Sequence, residues 1–304
     1  MRVLVGLAAV LLAAICAPAS IAQTPPPPDQ ADEPVTVLDD IVVNVEPLEE
    51  QLRRFTEEAA RPVPGRGLAR WQGPVCIGVV NFRPAIALQL ADGLAQLGGR
   101  LGVPINDETC EPNIIIVGAV DAQAVAQGWV ARRPREFRPN LSDVALSREQ
   151  LNHFATTDAP VRWWAISRPS YYDVLTDRAI PTDDFNGTPT IYIHSPSLKR
   201  GRTRDDLQRL VVVVDVEQTQ GRSVDDLTGY LAMVTFAQMD MQADMSQFDT
   251  VLNMFRPEFA GGGLTAWDEA YLQGLYSVRE DKRINRHTQH QAAARALQEN
   301  LPNP

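Results

Sequence analysis

The chain is poor in the residue types that build metal and thiol sites, with four histidines and three cysteines among 304 residues. It also lacks an excess of positive charge, because 28 basic residues face 38 acidic ones and the formal net charge is −10. A surface that binds nucleic-acid phosphates is basic, so this balance argues against nucleic acid as the main partner. We therefore expect neither a bound cofactor nor a dedicated metal centre.

Several short catalytic and phosphate-binding motifs are missing as well. The sequence contains no Gly-x-Ser-x-Gly, no Walker loop, no dinucleotide fingerprint and no His-Glu-x-x-His. What it does contain is a hydrophobic fraction of 44%, which excludes disorder throughout the chain. The length suits one large domain or two smaller ones. Composition thus predicts a folded protein but no particular activity.

Residues 1–22 are typical of a secretory signal. Arg2 provides the positive start, residues 3–14 are apolar, and small side chains at Ser20 and Ala22 precede the expected cleavage site. Lipoprotein processing at Cys16 is the alternative. The segment predicts a periplasmic or secreted protein with no transmembrane segment after cleavage.

Cleavage of that signal leaves two cysteines, Cys76 and Cys110. In an exported protein, two thiols most simply pair with each other. A free reactive thiol and a metal-ligand pair are the alternatives. Cys76 lies in an apolar run that suits a buried structural sulfur better than an exposed nucleophile. We therefore predict a Cys76–Cys110 disulfide.

The sequence divides into five parts by composition. A proline-rich linker at 23–35 follows the signal, and residues 36–131 read as an α/β unit with strands at 75–82 and 114–120 and helices at 47–60, 84–97 and 121–130. Residues 140–280 form a second α/β region, and 281–304 form a polar helical tail. The order of the elements predicts the α+β class.

Within the second region, residues 144–156 read as a helix, while 160–166, 190–195 and 210–216 read as strands. Residues 167–188 read as a long irregular stretch, and Gly261–Gly263 as a flexible joint. Ser223 with Asp226 is a capping box that opens an almost wholly apolar helix, which we expect to be the buried central helix. A second box, Thr265 with Asp268, opens the following helix.

Arginines are concentrated in a stretch that reads as a basic loop, residues 132–140. We name them the arginine patch: Arg132, Arg133, Arg135 and Arg138. On an acidic protein this patch is the best electrostatic candidate for an anionic lipid or glycan. The alternative is a solvated surface whose arginines pair with nearby acids.

One catalytic arrangement can be assembled from the sequence. Asp215 and Glu217 are two positions apart on an expected strand and so share a face. With His194 and the irregular stretch 167–188, they would form the acid/base group of a hydrolase of unfamiliar type. The alternative is a pair of exposed carboxylates at a sheet edge.

Part of the second region resembles the zincin group of zinc metalloproteases, of the matrixin type. The similarity rests on the closing helix, on the pattern Leu264-Thr265, Asp268, Leu272, Leu275-Tyr276, and on an apolar strand leading into a buried helix. If Gly229 matches the family glycine, the zinc-binding pentad corresponds to residues 226–230. The resemblance then implies Asp226 and Tyr230 at the first two ligand positions, Leu227 at the general-base position, and a third ligand position near Phe236. This departure from the family residues removes both the metal and the base, so the resemblance implies a zincin-like scaffold without zinc chemistry.

A second resemblance covers most of the chain after the signal. The segments at 65–76, 227–234 and 264–268 are similar to an uncharacterised family of exported Gram-negative bacterial proteins. That resemblance implies no known activity. Together these observations predict an α+β protein of the periplasm or envelope that acts as an accessory or binding protein with an unidentified partner, and the hydrolase is the alternative.

Overall fold

The computed structural model describes residues 48–60, 68–106, 109–138, 147–173, 178–181, 203–277 and 295. At 48–49, 169–173, 178–181 and 203–204 it describes the backbone alone. All of them belong to the compact unit Glu46–Pro304. The predicted signal, the linker and His194 lie outside the described residues. So does the predicted tail, apart from Arg295, which is helical.

Helices and strands both contribute to the described part, which confirms the α+β class. The α-helices are α1 (Leu48–Ala59), α2 (Pro84–Arg100), α3 (Ala122–Arg132), α4 (Pro134–Phe137), α5 (Arg148–Thr156), α6 (Val224–Phe236) and α7 (Ala266–Ser277). The strands are β1 (Ile77–Val80), β2 (Ile114–Ala119), β3 (Val161–Asp173), β4 (Arg178–Pro181) and β5 (Thr203–Asp215). A 3₁₀ turn covers Val251–Asn253.

These strands form one mixed sheet in the order β1-β2-β5-β3-β4. β1, β2 and β5 run parallel, whereas β3 pairs antiparallel with both β5 and β4. β1 and β2 come from the predicted N-terminal unit, and the other three strands come from the predicted second region. Strands from both regions therefore share a single sheet.

Both faces of this sheet are covered by helices. Side chains alternate along β5, so Leu210 and Val212 pack in the core beneath α2 and α6, while Val211 and Val213 pack beneath α3 and α5. A continuous run of valines suits a strand that is buried on both faces. Helices α2 and α6, which follow β1 and β5, therefore lie on one face of the sheet. Helix α3, which follows β2, lies on the other face.

Helix α6 is the buried central helix that the sequence predicts. Ten of its 13 residues are buried. Ser223 accepts a hydrogen bond from the Asp226 amide at 3.0 Å and so caps the first turn. At α7 the predicted capping box is confirmed, because Thr265 and Asp268 each accept a hydrogen bond from the other's backbone amide.

The prediction of a long irregular stretch over 167–188 is wrong in its described part. β3 continues to Asp173, and Ser167–Tyr171 pair with residues 203–207 of β5. β4 then pairs with the end of β3. The second half of β3 contains polar residues and a proline, so its local sequence does not indicate a strand. It is a strand because it pairs with β5.

The prediction of a basic loop is corrected in its described part, because Arg132 ends α3 and Pro134 starts the short helix α4. The predicted glycine joint at 261–263 makes specific contacts with α6. All three glycines have positive φ, and the amides of Gly262 and Gly263 each donate to Asp226 Oδ1 at 2.9 Å.

The predicted Cys76–Cys110 disulfide is present, with a Cα–Cα distance of 6.0 Å. Cys76 is buried and directly precedes β1. Asn113 adds a second link here, because its side chain accepts from the Cys76 amide at 2.8 Å and donates to the Pro74 carbonyl at 3.0 Å. The disulfide and Asn113 thus join the start of edge strand β1 to the segment that precedes β2.

Helix α6 tolerates no side chain at Gly229. A Cβ added there would lie 2.8 Å from the Leu264 amide nitrogen and 3.0 Å from the Gly263 carbonyl carbon. Alanine is the better helix former, but backbone atoms have to move to admit its methyl group. We expect Gly229→Ala to lower the free energy of unfolding by about 2 kcal/mol in urea titrations.

Gly99 in α2 is the matched control, because a Cβ added there meets nothing within 4 Å. Gly99→Ala is expected to raise the free energy of unfolding by about 0.5–1 kcal/mol through helix propensity alone. Equal effects of the two substitutions would show that α6 does not pack on residues 263–264 as described.

Candidate functional site

A large cleft of the described part lies at the carboxyl ends of the parallel strands. The loop after β1 leads to α2 and the turn after β5 leads to α6, both on the same face of the sheet. β2 lies between these strands, and its chain continues into α3 on the opposite face. Neighbouring parallel strands whose connections leave to opposite faces open a crevice, and α/β proteins commonly bind ligands there.

This cleft has a volume of about 610 Å³. Its apolar lining residues are Phe82, Ile86, Val216, Val224 and Leu227. The other lining side chains are polar or basic and comprise Asn81, Arg83, Thr219, Gln220, Arg222 and Ser223. A cavity of this size that is lined by both apolar and polar side chains is typical of a small-molecule site.

Arg83 and Arg222 both line the cleft at the start of a helix. Arg83 is the residue before α2, and Arg222 precedes Ser223, the capping residue of α6. Arg83 is exposed and Arg222 half-buried, and within the described ranges neither guanidinium forms an ion pair or hydrogen bond.

A positive charge at a helix N-terminus is unfavourable, because the helix dipole is positive at that end. Neither arginine therefore stabilises the helix that it precedes. Two guanidinium groups beside two helix N-termini instead favour a positive potential in the cleft. That potential favours a carboxylate or phosphate group.

Asn81 fixes the floor of the cleft. It has φ = 63°, a left-handed conformation that asparagine adopts more readily than most residues. Its side-chain amide donates to the carbonyl oxygen of Gly118 at the end of β2. A Cβ on Gly118 would lie 2.9 Å from the Asn81 carbonyl oxygen, so the loop after β1 lies directly on β2.

Asp226 lies in the first turn of α6, between the cleft-lining residues Val224 and Leu227 in sequence. Burial opposes its ionisation, but hydrogen bonds from Ser223 and from the amides of Gly263 and Gly262 outweigh that effect and lower the pKa of this carboxyl. Its charge is therefore used to hold the glycine segment against α6. The arginines of the cleft do not neutralise it.

The other positions that the zincin resemblance singles out are also engaged in packing. Tyr230 lies between Trp163 and Phe255, at ring distances of 6.2 and 5.4 Å, and burial raises the pKa of its hydroxyl. Leu227 lines the cleft, and Phe236 is fully buried in the core. None of these side chains offers a zinc ligand or a general base.

The predicted pairing of Asp215 and Glu217 on one strand face is wrong. β5 ends at Asp215, whose carboxylate accepts from the backbone amides of Glu217 and Gln218 at 3.0 Å each. Asp215 is buried and Glu217 is exposed in the turn that follows. The sequence implied a strand through 216, but this turn ends it one residue earlier and gives Asp215 a structural role.

The arginine patch is partly neutralised by Glu136. This carboxylate pairs with Arg133 at 2.9 Å and with Arg209 at 3.4 Å. Arg132, at the end of α3, also interacts favourably with the helix dipole. These contacts agree with the solvated-surface alternative, and an anion-binding role for the patch stays a prediction.

Sequence reasoning missed Arg83 and Arg222 as a pair. The usable signal was an arginine at the junction between a strand and a helix in both places, in Arg83-Pro84 and in Gly221-Arg222-Ser223. That signal indicates a shared cleft only when β1 and β5 are known to be parallel and to end at the same edge of the sheet.

Among the residues that the structure describes, no three histidine, cysteine or acidic side chains come together as metal ligands. In the same part of the chain no helix has the length and apolar character needed to cross a membrane. Comparison of the chain with models of protein families, with curated proteins and with solved structures finds no match.

Proposed function

We propose that this chain is an exported binding protein of the periplasm or envelope that captures a small organic anion in the cleft at the ends of β1, β2 and β5. The observation that carries the proposal is the pair of arginines, Arg83 and Arg222, which face a common cleft without a carboxylate partner in the described residues. The ligand has a carboxylate or phosphate group beside an apolar portion.

The lining of the cleft supports both halves of that ligand. The anionic group binds between Arg83 and Arg222, where charge-assisted hydrogen bonds are strongest. The apolar portion packs on Phe82, Ile86 and Leu227. Burying such a group contributes roughly 25 cal/mol for each Å² removed from water.

The same lining supports binding rather than catalysis. No carboxylate, imidazole or thiol belongs to the side chains that line the cleft in the described part. Its hydroxyls, on Thr219 and Ser223, have no general base beside them within that lining. The proposal therefore includes a zincin-like scaffold without zinc chemistry, in agreement with the packing roles of Asp226 and Tyr230.

A thermal-shift experiment tests the cleft. The exported, disulfide-bonded chain is heated with phosphate, pyrophosphate, succinate, hexanoate or phenylacetate. An anion present at 100 times its Kd adds about 2.7 kcal/mol of stability, which raises Tm by about 5–10 °C in a chain of this size. We expect an anion with an apolar portion to give the largest increase.

Arg83→Gln with Arg222→Gln is the decisive variant, because both side chains are at the surface and glutamine keeps most of their length. Each lost charge-assisted hydrogen bond weakens binding about 10- to 100-fold, so the increase in Tm should disappear. The matched control is Arg132→Gln with Arg135→Gln, which removes two charges from the arginine patch. An increase that survives the first variant, or is lost only in the second, would contradict the proposal.

A further inference from the structure

The inner end of the anion cleft is closed by a contact between helices α2 and α6. The lining of the cleft ends at Ile86 on α2 and at Leu227 on α6. Farther along both helices, Gly93 meets Thr228, because a Cβ added to Gly93 would lie 2.7 Å from the Thr228 Cγ2 methyl group. Thr228 directly follows Leu227, so the contact begins where the lining stops.

The residues that line the cleft share helix faces with the residues that make this contact. Ile86 and Gly93 are seven positions apart on α2, which is about two helical turns. Val224 and Thr228 are four positions apart on α6, which places them on one face of that helix. The separation of the helices at Gly93 and Thr228 therefore sets the distance between the apolar side chains of Ile86 and Val224.

Glycine at position 93 lets α2 approach α6 more closely than any side chain would allow. Nonbonded carbon atoms pack at about 3.5–4.0 Å, so a methyl group added 2.7 Å from Thr228 Cγ2 requires a movement of about 1 Å. The Thr228 hydroxyl donates to the Val224 carbonyl oxygen at 2.7 Å, and this bond and the branched Cβ restrict rotation of the threonine methyl. We therefore expect alanine at position 93 to move α2 away from α6.

We propose that the contact between Gly93 and Thr228 determines which anions the cleft accepts. The close approach of the helices narrows the apolar part of the cleft, so an unbranched chain fits there better than a branched one. The inference rests on the proposed function, because it assumes that the anionic group binds between Arg83 and Arg222. Gly93 is a positioning residue, since it does not line the cleft and acts through Ile86.

Hexanoate and its isomer 3,3-dimethylbutanoate test this selectivity, because they have the same charge and the same atoms but differ in width. Isothermal titration calorimetry of the disulfide-bonded chain gives both Kd values, and their ratio is the readout. We expect wild type to bind hexanoate more tightly. Gly93→Ala should shift the ratio about 10-fold toward the branched isomer, which is the size of effect that one methylene group has in an apolar pocket.

Gly93→Ala with Thr228→Ser is the rescue variant. Serine keeps the hydroxyl group that bonds to the Val224 carbonyl oxygen, but it lacks the Cγ2 methyl group that an alanine at position 93 would meet. The overlap between the helices is then removed from the other side. We expect the ratio of the two Kd values to return to that of wild type.

Gly98→Ala is the control for a general disturbance of helix packing. A Cβ added to Gly98 would lie 2.7 Å from Ile105 Cδ1 and 2.9 Å from Phe236 Cζ, and neither of these residues lines the cleft. This variant should therefore lose stability in urea titrations but keep the wild-type ratio. A selectivity that changes only in Gly93→Ala distinguishes a positioning role from a structural one.

The wild-type chain provides a measurement that does not depend on the folding of a variant. Nuclear magnetic resonance of the Thr228 methyl group follows the contact directly while each isomer is titrated. We expect this signal to shift more with 3,3-dimethylbutanoate, because the wider chain separates α2 from α6.

Four outcomes would overturn the inference and leave the proposed function in place, provided that binding still requires Arg83 and Arg222. They are a wild type that does not prefer hexanoate, a ratio unchanged in Gly93→Ala, an equal change in Gly98→Ala, and a Thr228 methyl signal that responds equally to both isomers. A wild type that binds no anion would contradict the proposed function as well.

Discussion

Replacing Asp268 with alanine is expected to lower the free energy of unfolding by about 4 kcal/mol. The Asp268 side chain is fully buried and accepts from the Val251 amide at 2.8 Å, from the Thr265 amide and hydroxyl at 3.0 Å each, and from the Thr250 hydroxyl. Alanine removes the acceptor of the Thr250 hydroxyl and of the Val251 and Thr265 amides, whereas the Thr265 hydroxyl keeps the Asp249 carbonyl oxygen at 2.7 Å. Each orphaned buried donor costs about 1–3 kcal/mol. Urea unfolding measures the loss.

Asparagine at position 268 is the matched control, because it keeps the shape and one acceptor oxygen. Its penalty should be less than half of the alanine penalty. The substitution also tests whether α7 is fastened to the 3₁₀ turn through this side chain. A loss below 1 kcal/mol in Asp268→Ala would contradict the buried hydrogen-bond network.

The penalty should also depend on pH. Burial is the largest influence on the Asp268 carboxyl and raises its pKa, although hydrogen bonds from Thr250, Val251 and Thr265 partly oppose that effect. The folded state therefore takes up this proton more readily than the unfolded state. The resulting stability is present below the ordinary carboxyl pKa and is lost as pH rises through the folded pKa. The difference between wild type and Asp268→Ala should thus be larger at acidic pH than at pH 8.

Removing the Cys76–Cys110 disulfide is the second change with a large expected effect. The cysteines are 34 positions apart, and a crosslink that closes a loop of this length contributes about 4 kcal/mol in the chain-entropy model. Cys76→Ala with Cys110→Ala should lower Tm by about 8–15 °C. Differential scanning calorimetry of the double variant and of the reduced wild type should give similar values.

Asn113→Ala controls for the local hydrogen bonds around the disulfide. It removes the links to Cys76 and Pro74 but keeps the covalent bond, so its effect should be near 1–2 kcal/mol. A double cysteine variant as stable as wild type would show that the crosslink constrains neither the folded nor the unfolded chain.

Features set by local sequence were predictable. Ser223 at the start of an almost wholly apolar run indicated both the beginning of α6 and its burial, and both are confirmed. Thr265 with Asp268 indicated the start of α7 in the same way. The disulfide followed from counting, because cleavage of the predicted signal leaves only two cysteines to pair.

Features set by pairing between distant segments were not predictable. The second half of β3 is a strand because Ser167–Tyr171 lie beside residues 203–207, and no local pattern shows this. The cleft depends on the same kind of information. Arg83 and Arg222 are far apart in sequence, and the parallel order β1-β2-β5 brings their loops to one edge. The turn at Asp215, in contrast, is local and was misread as a longer strand.

Nuclear magnetic resonance of the arginine side chains tests the central claim most directly. The Nε–Hε signals of Arg83 and Arg222 are assigned by comparison with Arg83→Gln and Arg222→Gln, and the chain is then titrated with the anion that raises Tm most. We expect these two signals to shift together and to saturate at one anion per chain, while the signals of the arginine patch stay in place. Shifts confined to Arg132, Arg133, Arg135 and Arg138, or an absence of saturation at Arg83 and Arg222, would contradict the assignment of the cleft as the binding site.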